Sequence, residues 1–271
     1  MSISPSMLQR ATWGELRTVL MFAHPDDEAV ALGARLELFA AATLVHVTDG
    51  APRNGEDARM HGFASVDAYR AARAEELNAA LKRAGLRKMK RVALQIPDQE
   101  ASLHLPEITG SLCEILQAET PDVVFTHPYE GGHPDHDATA FAVHRAAARW
   151  GTAGGKAPRI VEAAFYHLGS KGIETGRFLG SQQETEAIHF DLSPVERERK
   201  QEILACFPSQ QGTLRLFPLD RESYRIAPEY DFHAPPHERP VLYENFPWGM
   251  TSSRFCELTQ AADERAMHSC R

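Results

Sequence analysis

Histidine and carboxylate side chains are concentrated at two positions that lie far apart in the sequence. The first is AHPDDE, where the apolar run 19–23 gives way to His24, Asp26, Asp27 and Glu28. The second is GGHPDHDA at residues 131–138. Imidazole and carboxylate groups bind divalent metals and transfer protons near neutral pH. These residue types at this density indicate metal binding or acid–base chemistry, provided that the fold brings the two clusters together.

The elements around these clusters follow a regular alternation over about the first 170 residues. Short apolar runs predict strands at 18–24, 43–50, 91–98, 121–128 and 159–169, and longer patterns between them predict helices at 28–41, 67–85, 105–119 and 134–150. Strand–helix alternation of this kind predicts a parallel sheet covered on both faces. The predicted fold class is therefore α/β, a Rossmann-like doubly wound, mostly parallel sheet.

The pattern changes after Gly169. A further strand is predicted at 186–192 and a helix at 194–207, with Pro194 at its first position. Residues 208–247 are rich in proline and aromatic residues and show little periodicity. We expect one domain over residues 1–271, with an α/β core at about 15–170 and a loop-rich C-terminal extension at about 171–271.

Doubly wound sheets bind ligands beyond the carboxyl ends of their strands, where the strand order reverses. A strand order of 3-2-1-4-5 would make the first and fourth strands neighbours, so the two clusters would face each other. A catalytic zinc site takes about three protein ligands. Candidates are His24 with Asp26 or Asp27, together with His133 or His136. The first strand is not followed by GxGxxG, and acids there would repel a pyrophosphate, which disfavours a dinucleotide-dependent dehydrogenase.

Composition narrows the range of partners. The net charge of −8 and the isoelectric point near 5.9 provide no general attraction to nucleic acid or to anionic membranes. No apolar run approaches the roughly 18 residues that span a bilayer, and the N-terminus lacks the pattern of a signal peptide. The four cysteines are widely spaced and form no CxxC pair. We expect a cytoplasmic protein without nucleic-acid partners or a membrane span.

AHPDDE after the first strand, combined with GHPDH after the fourth, resembles the LmbE-like (PIG-L) family of zinc-dependent N-deacetylases. The resemblance extends to RAEEL at 73–77, to IPDQE at 96–100 and to ERKQEILACFPSQ at 198–210. Family members remove an acetyl group from N-acetylglucosamine units of thiol-cofactor precursors, lipid anchors, antibiotics and oligosaccharides. The resemblance therefore implies a small-molecule or glycoconjugate substrate.

The resemblance also implies roles for individual residues. His24, Asp27 and His136 match the zinc ligands of the family, and Asp26 matches the general base that activates the attacking water. Zn²⁺ is the implied metal, although Fe²⁺ or Co²⁺ also suits two imidazoles and a carboxylate.

Further matches concern the transition state and the substrate. His133 matches the histidine that stabilises the oxyanion as a cationic imidazole, and Asp135 matches the carboxylate that orients it. Arg73 and Asp98 match positions that contact sugar hydroxyls. One branch of the family has a catalytic tyrosine close before GHPDH, whereas Tyr129 lies further away here, so that role is not assigned to it.

The sequence predicts a metal-dependent hydrolase that removes an N-acetyl group from an N-acetylglucosamine-type amino sugar or its conjugate. One alternative is a catalytically silent sugar-binding or regulatory protein on the same fold. Another is a metallohydrolase acting on a phosphoester. Sites of that kind usually hold two metals about 3.5–4 Å apart, which would require further ligands.

Overall fold

The computed structural model of the protein describes residues 13–180, 187–238 and 240–269. Its strands are β1 (Thr18–Phe22), β2 (Thr43–Thr48), β3 (Lys90–Ile96), β4 (Val123–Thr126), β5 (Arg159–Ala163), β6 (Tyr166–Gly169), β7 (Gly172–Thr175), β8 (Ile188–Asp191) and β9 (Arg221–Ile226). Seven of them form one sheet in the order β3-β2-β1-β4-β5-β9-β8, and β6 pairs with β7. Strands β1 to β5 are parallel, and β9 runs antiparallel to β5 and to β8. The predicted fold class and the order 3-2-1-4-5 are confirmed.

The helices are α1 (Asp27–Leu32), α2 (Glu56–Met60), α3 (Val66–Arg83), α4 (Leu105–Glu119), α5 (Pro134–Thr152), α6 (Pro194–Leu204), α7 (Gln211–Leu214) and α8 (Ser252–Ser269). Helix α6 begins with a capping box between Ser193 and Glu196, and Pro194 follows the cap as predicted. Within the described ranges, none of these helices is long and apolar enough to cross a membrane.

The sheet is buried on both faces. In β1, Leu20 and Phe22 pack into one hydrophobic cluster, and Val19 and Met21 pack into another. Because successive side chains of a strand point to opposite faces, the two clusters lie on opposite sides of the sheet. This explains why β1 is apolar at every position from Val19 onwards rather than at alternate positions.

The predicted fifth strand at 159–169 is wrong in its extent. The chain leaves the main sheet after Ala163, and residues 166–169 pair with β7 as a separate hairpin. Gly172 has a φ of 120°, a conformation that glycine adopts readily and other residues rarely do. Apolar periodicity cannot distinguish one long strand from a short strand followed by a hairpin.

The predicted first helix at 28–41 is also wrong in its extent, because α1 ends at Leu32 and a separate 3₁₀ turn spans Leu36–Phe39. Distant residues bind the end of α1. Lys200 Nζ donates to the carbonyl of Val30 at 2.8 Å, and the backbone N–H of Ala34 donates to Glu222 Oε1 at 2.9 Å. Both partners come from the C-terminal extension, so local sequence could not reveal this helix end.

The extension contains more regular structure than its composition suggested. Strand β9 lies between β5 and β8 in the main sheet. Its buried residues include Glu222 and Arg225, which are charged and therefore break the hydrophobic pattern of a strand. Helix α8, near the C-terminus, was likewise not predicted. The predicted strand at 186–192 is present as β8, although Glu186 lies outside the described residues.

Candidate metal centre and active-site pocket

The two His/Asp clusters meet at the point where the strand order reverses. Strands β1 and β4 are neighbours in the sheet, with Val19 opposite Val124. Residues 24–28 follow the carboxyl end of β1, and the loop after β4 leads to His133, which caps α5. The prediction that these clusters face each other is borne out by the strand order and by the distances between their side chains.

Three side chains present metal-binding atoms towards one another. His24 Nδ1 is 3.3 Å from His136 Nε2 and 3.4 Å from Asp27 Oδ2, and His136 Nε2 is 3.4 Å from Asp27 Oδ1. In a tetrahedral site with metal–ligand bonds of about 2.0–2.1 Å, ligand atoms lie about 3.3–3.4 Å apart. All three residues are buried. The spacing and chemistry of these donors fit a divalent metal such as zinc.

Carboxylates on the far side of the His24 ring determine its tautomer. His24 Nε2 lies 3.1 Å from Asp98 Oδ1 and 3.2 Å from Asp135 Oδ2. Because ionised carboxylates only accept hydrogen bonds, Nε2 carries a proton, and Nδ1 is the nitrogen that faces the metal centre. Burial alone would lower the pKa of His24, but Asp98, Asp135 and Asp27 outweigh it and raise that pKa well above its usual value.

A further histidine, His127, packs against one of the candidate metal ligands. The His127 ring stacks on the His136 ring at 3.9 Å and 15°. His127 Nε2 accepts the backbone N–H of Ala23 at 2.9 Å, so this nitrogen carries no proton. Burial and the neighbouring His136 lower the pKa of His127 to about 3. His127 is therefore a neutral imidazole that packs against the candidate ligand His136.

Asp26 lies beside the three ligands in an unusual backbone conformation. Its φ is 148°, in a region that non-glycine residues rarely adopt. The Asp26 carboxylate receives a hydrogen bond from Arg73 Nη2 at 3.2 Å. Burial raises the pKa of Asp26 to about 7, even though Arg73 and His24 act in the opposite direction. A carboxylate with such a pKa can both accept and release a proton near neutral pH.

His133 is held as a neutral imidazole. Its Nδ1 accepts the backbone N–H of Asp135 at 3.1 Å, so its proton lies on Nε2. Burial and the neighbouring His24 lower the pKa of His133 well below its usual value. The Trp248 ring contacts His133 with a centroid distance of 4.6 Å. In this arrangement His133 can donate one hydrogen bond from Nε2, but it does not match the cationic imidazole that the resemblance implied.

Asp135 also differs from the implied arrangement. Its carboxylate is 3.9 Å from His133 Nδ1, too far for a hydrogen bond, but it lies within hydrogen-bond distance of His24. The same carboxylate accepts the backbone N–H groups of Gln99 at 2.6 Å and Ala101 at 3.0 Å. Through its side chain, Asp135 therefore orients the candidate ligand His24 and the 98–101 turn rather than His133.

Arg73 and Asp98 both line the pocket, as expected of substrate contacts, but each also contacts a catalytic candidate. The Arg73 side chain is only 2% exposed, and it pairs with Asp26 and, at 3.4 Å, with Glu76. Asp98 lies beside His24 and is 4.0 Å from His133 Nε2. Tyr129, by contrast, donates its hydroxyl to the carbonyl of Ala234 at 2.9 Å and does not line the pocket.

A second group of potential ligands adjoins the first. It consists of His24, Asp98, His133 and Asp135, whose nearest donor atoms lie within 4.8 Å of one another. It shares His24 with the first group, and both oxygens of Asp135 already accept backbone N–H groups. These contacts make the second group a support for His24 rather than an independent metal site.

The pocket above the metal centre has a volume of about 150 Å³. Several of its lining residues were not individually predicted: Val30, Asp57, Gln99, Tyr166, Gln210, Thr213, Leu214, Phe217 and Trp248. Most of them lie in the loop after β2, in the turn after β3 and in the extension. Gln99 and Gln210 fall within the motifs IPDQE and ERKQEILACFPSQ, and Trp248 is aromatic. The others carry no sequence signal, because only the folded chain brings them to the metal centre.

The fold and the site together define an α/β protein with a candidate metal centre at the switch point of its sheet. The family model for PIG-L, described as GlcNAc-PI de-N-acetylase, matches residues 19–147. This match contains every residue of the candidate metal centre. Residues 19–147 therefore match the PIG-L (LmbE-like) family model, in agreement with the resemblance.

Two curated relatives are deacetylases by name. The chain is 30% identical over 139 residues to the probable N-acetyl-alpha-D-glucosaminyl L-malate deacetylase 2 of Bacillus cereus, covering 50% of this chain and 62% of the relative. It is 29% identical over 167 residues to the 1D-myo-inositol 2-acetamido-2-deoxy-alpha-D-glucopyranoside deacetylase of Salinispora arenicola, covering 53% of each. The chain thus spans little more than half the length of these relatives.

Solved structures share the fold at lower identity. A triple mutant of the deacetylase of teicoplanin biosynthesis has a TM-score of 0.60 at 19% identity, covering 79% of this chain and 99% of that one. The 4-carboxy-2-hydroxymuconate hydratase of Pseudomonas putida has a TM-score of 0.53 at 15% identity, covering 79% and 98%. The same fold therefore accommodates more than one reaction, and the activity must be argued from the site.

Proposed function

We propose that the protein is a metal-dependent hydrolase that removes the N-acetyl group from an N-acetylglucosamine-type amino sugar or its conjugate. The observation that carries this proposal is the spacing of His24, Asp27 and His136, with the carboxylate of Asp26 beside them. The names of both curated relatives describe deacetylation of such conjugates. The one-domain organisation and the cytoplasmic location remain predictions from the sequence.

The donor set suits zinc, and Fe²⁺ is compatible with the same two imidazoles and carboxylate. His24 Nδ1, Asp27 and His136 Nε2 would hold the ion. A divalent metal bound there would lower the pKa of water and polarise the amide carbonyl of the substrate.

Protein side chains would perform the proton transfers. The Asp26 carboxylate would accept a proton from the attacking water and return it to the nitrogen of the leaving amine. In the metal-free protein, burial raises the pKa of this carboxyl to about 7, and the metal would favour its ionised, proton-accepting form. Arg73 Nη2 orients this carboxylate through its hydrogen bond to Oδ2. The Nε2–H of His133 would donate to the carbonyl oxygen as negative charge develops there.

Two alternative functions, a sugar-binding protein and a phosphoesterase, make different demands on the site. A catalytically silent sugar-binding protein would keep the pocket without turnover, but it would have no need for a buried Asp26 with a pKa near neutrality. A phosphoesterase with two metals would use the second ligand group around Asp98 and His133. That group shares His24 with the first, and both oxygens of its Asp135 already accept backbone N–H groups, which counts against simultaneous occupation of both groups.

The test combines metal analysis with an amine-release assay. The wild type, His136→Ala and the control His189→Ala would be analysed for bound metal and for amine released from N-acetylglucosamine conjugates. His189 is exposed on β8 and bonds Ser223 rather than the metal centre. We expect one metal per chain and activity in the wild type and the control, with both lost in His136→Ala.

Other outcomes would favour the alternatives. One bound metal without amine release from any conjugate would support the sugar-binding protein. Two metals per chain with release of phosphate from a phosphoester would support the phosphoesterase. If the wild type binds no divalent metal after reconstitution, the proposed hydrolase is rejected.

A further inference from the structure

The charges that line the pocket are unbalanced. The described lining includes four aspartates, Asp26, Asp27, Asp57 and Asp98, but Arg73 is the one lysine or arginine among these residues. Arg73 already pairs with Asp26 and Glu76. A carboxylate or phosphate on the substrate would therefore find no unpaired side-chain cation in the described lining of the pocket.

Asp57 differs from the other three aspartates. Asp26, Asp27 and Asp98 each contact a histidine or an arginine of the metal centre. The Asp57 carboxylate, half-buried on α2, makes no hydrogen bond or ion pair with any residue in the described part of the chain. Burial and the nearby charge of Asp98 raise the pKa of Asp57. A desolvated carboxylate without partners is well suited to accept hydrogen bonds from a ligand.

Neighbouring lining residues have complementary chemistry. The amide of Gln99 is half-buried, and the amide of Gln210 donates its Nε2–H groups to Tyr69 and Ser209 while its oxygen remains available as an acceptor. Leu214 and Phe217 provide buried apolar surface. Polar acceptors combined with apolar surface match an uncharged ring that carries hydroxyl groups.

We propose that Asp57 selects conjugates in which the group attached to the amino sugar is uncharged and bears hydroxyls, and that it disfavours conjugates bearing a carboxylate or phosphate. This inference rests on the proposed function, because it concerns the substrate of the same site. The two relatives named above illustrate the two classes, since malate is anionic and inositol is an uncharged polyol. The exposed Arg53 and Arg59 are absent from the pocket lining, and Arg53 pairs with Glu100 at 3.3 Å.

The test compares conjugates of N-acetylglucosamine that differ in this group. The ratio of kcat/KM for the inositol conjugate to that for the malate conjugate would be measured with metal-loaded wild type, Asp57→Asn and Asp191→Asn. Asp191 is an exposed aspartate on β8 and serves as the matched control. We expect a ratio of at least about tenfold in the wild type and the control, consistent with one like-charge contact at intermediate dielectric.

Asp57→Asn should lower this ratio to about threefold or less, mainly by lowering KM for the malate conjugate. A conjugate with a second, neutral sugar would show whether the preference extends from a polyol to a pyranose. Equal or faster turnover of the malate conjugate by the wild type would overturn the inference. The inference would also be overturned if Asp57→Asn left the ratio of the two kcat/KM values unchanged.

Binding separates this inference from the proposed function. Dissociation constants of both conjugates would be measured by calorimetry with the Asp26→Asn variant, which should turn them over at least about a hundredfold more slowly than the wild type. If no conjugate is deacetylated by the wild type, the proposed function fails, yet tighter binding of the inositol conjugate would still support selection by Asp57. Equal binding, or no binding of either conjugate, would contradict it.

A second inference comes from the strained backbone of Asp26. Glu28 Oε2 accepts the backbone N–H of Asp26 at 3.2 Å and lies 2.9 Å from His46 Nε2. Glu28 is fully buried and His46 is 3% exposed. Strained conformations persist only where the surrounding structure enforces them. The backbone carbonyl of Asp26 accepts the N–H groups of Ala29 and Val30 in α1, and Glu28 is the side chain that binds its backbone N–H.

We infer that Glu28 is a positioning residue that holds the backbone of Asp26 so that its carboxylate faces the substrate; the inference rests on the proposed function. Glu28→Ala should lower kcat by about tenfold to a hundredfold, with KM and metal content nearly unchanged. Glu28→Gln keeps one acceptor oxygen and should recover part of this loss. His46→Gln provides a second variant if Glu28→Ala does not fold.

A different result is expected if Glu28 and His46 only stabilise the fold. Glu28→Ala or His46→Gln would then lower the melting temperature while the folded protein kept the kcat of the wild type. Loss of metal together with kcat would place the effect on the metal ligands and would also contradict the inference. If wild-type protein shows no deacetylase activity, the proposed function fails and this inference is overturned with it.

Discussion

Two buried clusters of charge lie near the carboxyl ends of the parallel strands, and they are built differently. We call the first the metal cluster (His24, Asp27 and His136) and the second the β5–β9 cluster (Glu130, Glu162, Arg225 and Tyr230). In the β5–β9 cluster, Arg225 bonds Glu162 at 2.7 Å and Glu130 at 3.1 Å, and the Tyr230 hydroxyl bonds Glu162 at 2.7 Å. Each carboxylate there has a cationic partner within the protein.

The metal cluster has no arginine or lysine between its members in the described structure. Its three candidate ligand groups converge at 3.3–3.4 Å. Converging ligands of this kind can be stabilised by a metal ion, whereas the carboxylates of the β5–β9 cluster already share the guanidinium of Arg225. The comparison indicates that buried charge marks a functional site when potential metal ligands converge, and a structural role when the charges are held by an arginine.

The largest effect on catalysis should come from the carboxylate beside the metal cluster. Asp26→Asn removes the proton acceptor while keeping the size of the side chain, and we expect kcat/KM to fall by about 10²–10⁴. Metal content should stay at the wild-type level, because Asp26 is not one of the three ligands. Metal analysis alongside the amine-release assay would check both statements. If Asp26→Asn retains the activity of the wild type, Asp26 is not the proton acceptor.

The largest effect on stability should come from the β5–β9 cluster. Arg225→Leu leaves Glu162 and Glu130 buried without a cation, and we expect a loss of about 3–5 kcal/mol in the free energy of unfolding. Denaturant titration would measure this loss. The folded fraction should bind metal as the wild type does, and a loss of metal affinity would show that the two clusters are not separable.

The metal should alter the titration of Asp26. In metal-free protein, burial raises the pKa of Asp26 to about 7, because the charged form is disfavoured in the buried site. A bound divalent cation favours the carboxylate, so the pKa should fall by at least about one unit on loading with zinc. Carboxyl ¹³C NMR, with Asp26→Asn to assign the signal, would measure it. An unchanged pKa would place the metal elsewhere.

The smallest effect on catalysis is expected from Trp248, a residue of the extension that lines the pocket. Trp248→Leu removes the ring contact with His133, which is worth about 0.5–1.5 kcal/mol, or roughly twofold to twelvefold in kcat/KM. Trp150→Leu, on α5 away from the pocket lining, is the matched control. A change no larger than that of the control would show that Trp248 does not orient His133.

The sequence alone indicated the order of the five parallel strands and the position of the site. Apolar runs and helical periodicity are local signals, and in a doubly wound sheet they place the ends of β1 and β4 side by side. AHPDDE and GHPDH were thereby expected to face each other, and the family resemblance singled out His24, Asp27 and His136 within them. The end of α1 could not be predicted, because Lys200 and Glu222 bind it from far along the chain. Strand β9 could not be predicted because the charged Glu222 and Arg225 break its apolar pattern.

Only the tertiary structure decided how the site is arranged. The sequence could not show that Asp135 bonds His24 instead of His133, since this depends on a difference of less than an ångström between 3.2 and 3.9 Å. Nor could it place Asp57 and Trp248 at the pocket, because they come from separate segments that share no pattern. Local sequence encodes periodicity and motifs, whereas hydrogen-bond partners and pocket walls depend on long-range contacts that exist only once the chain is folded.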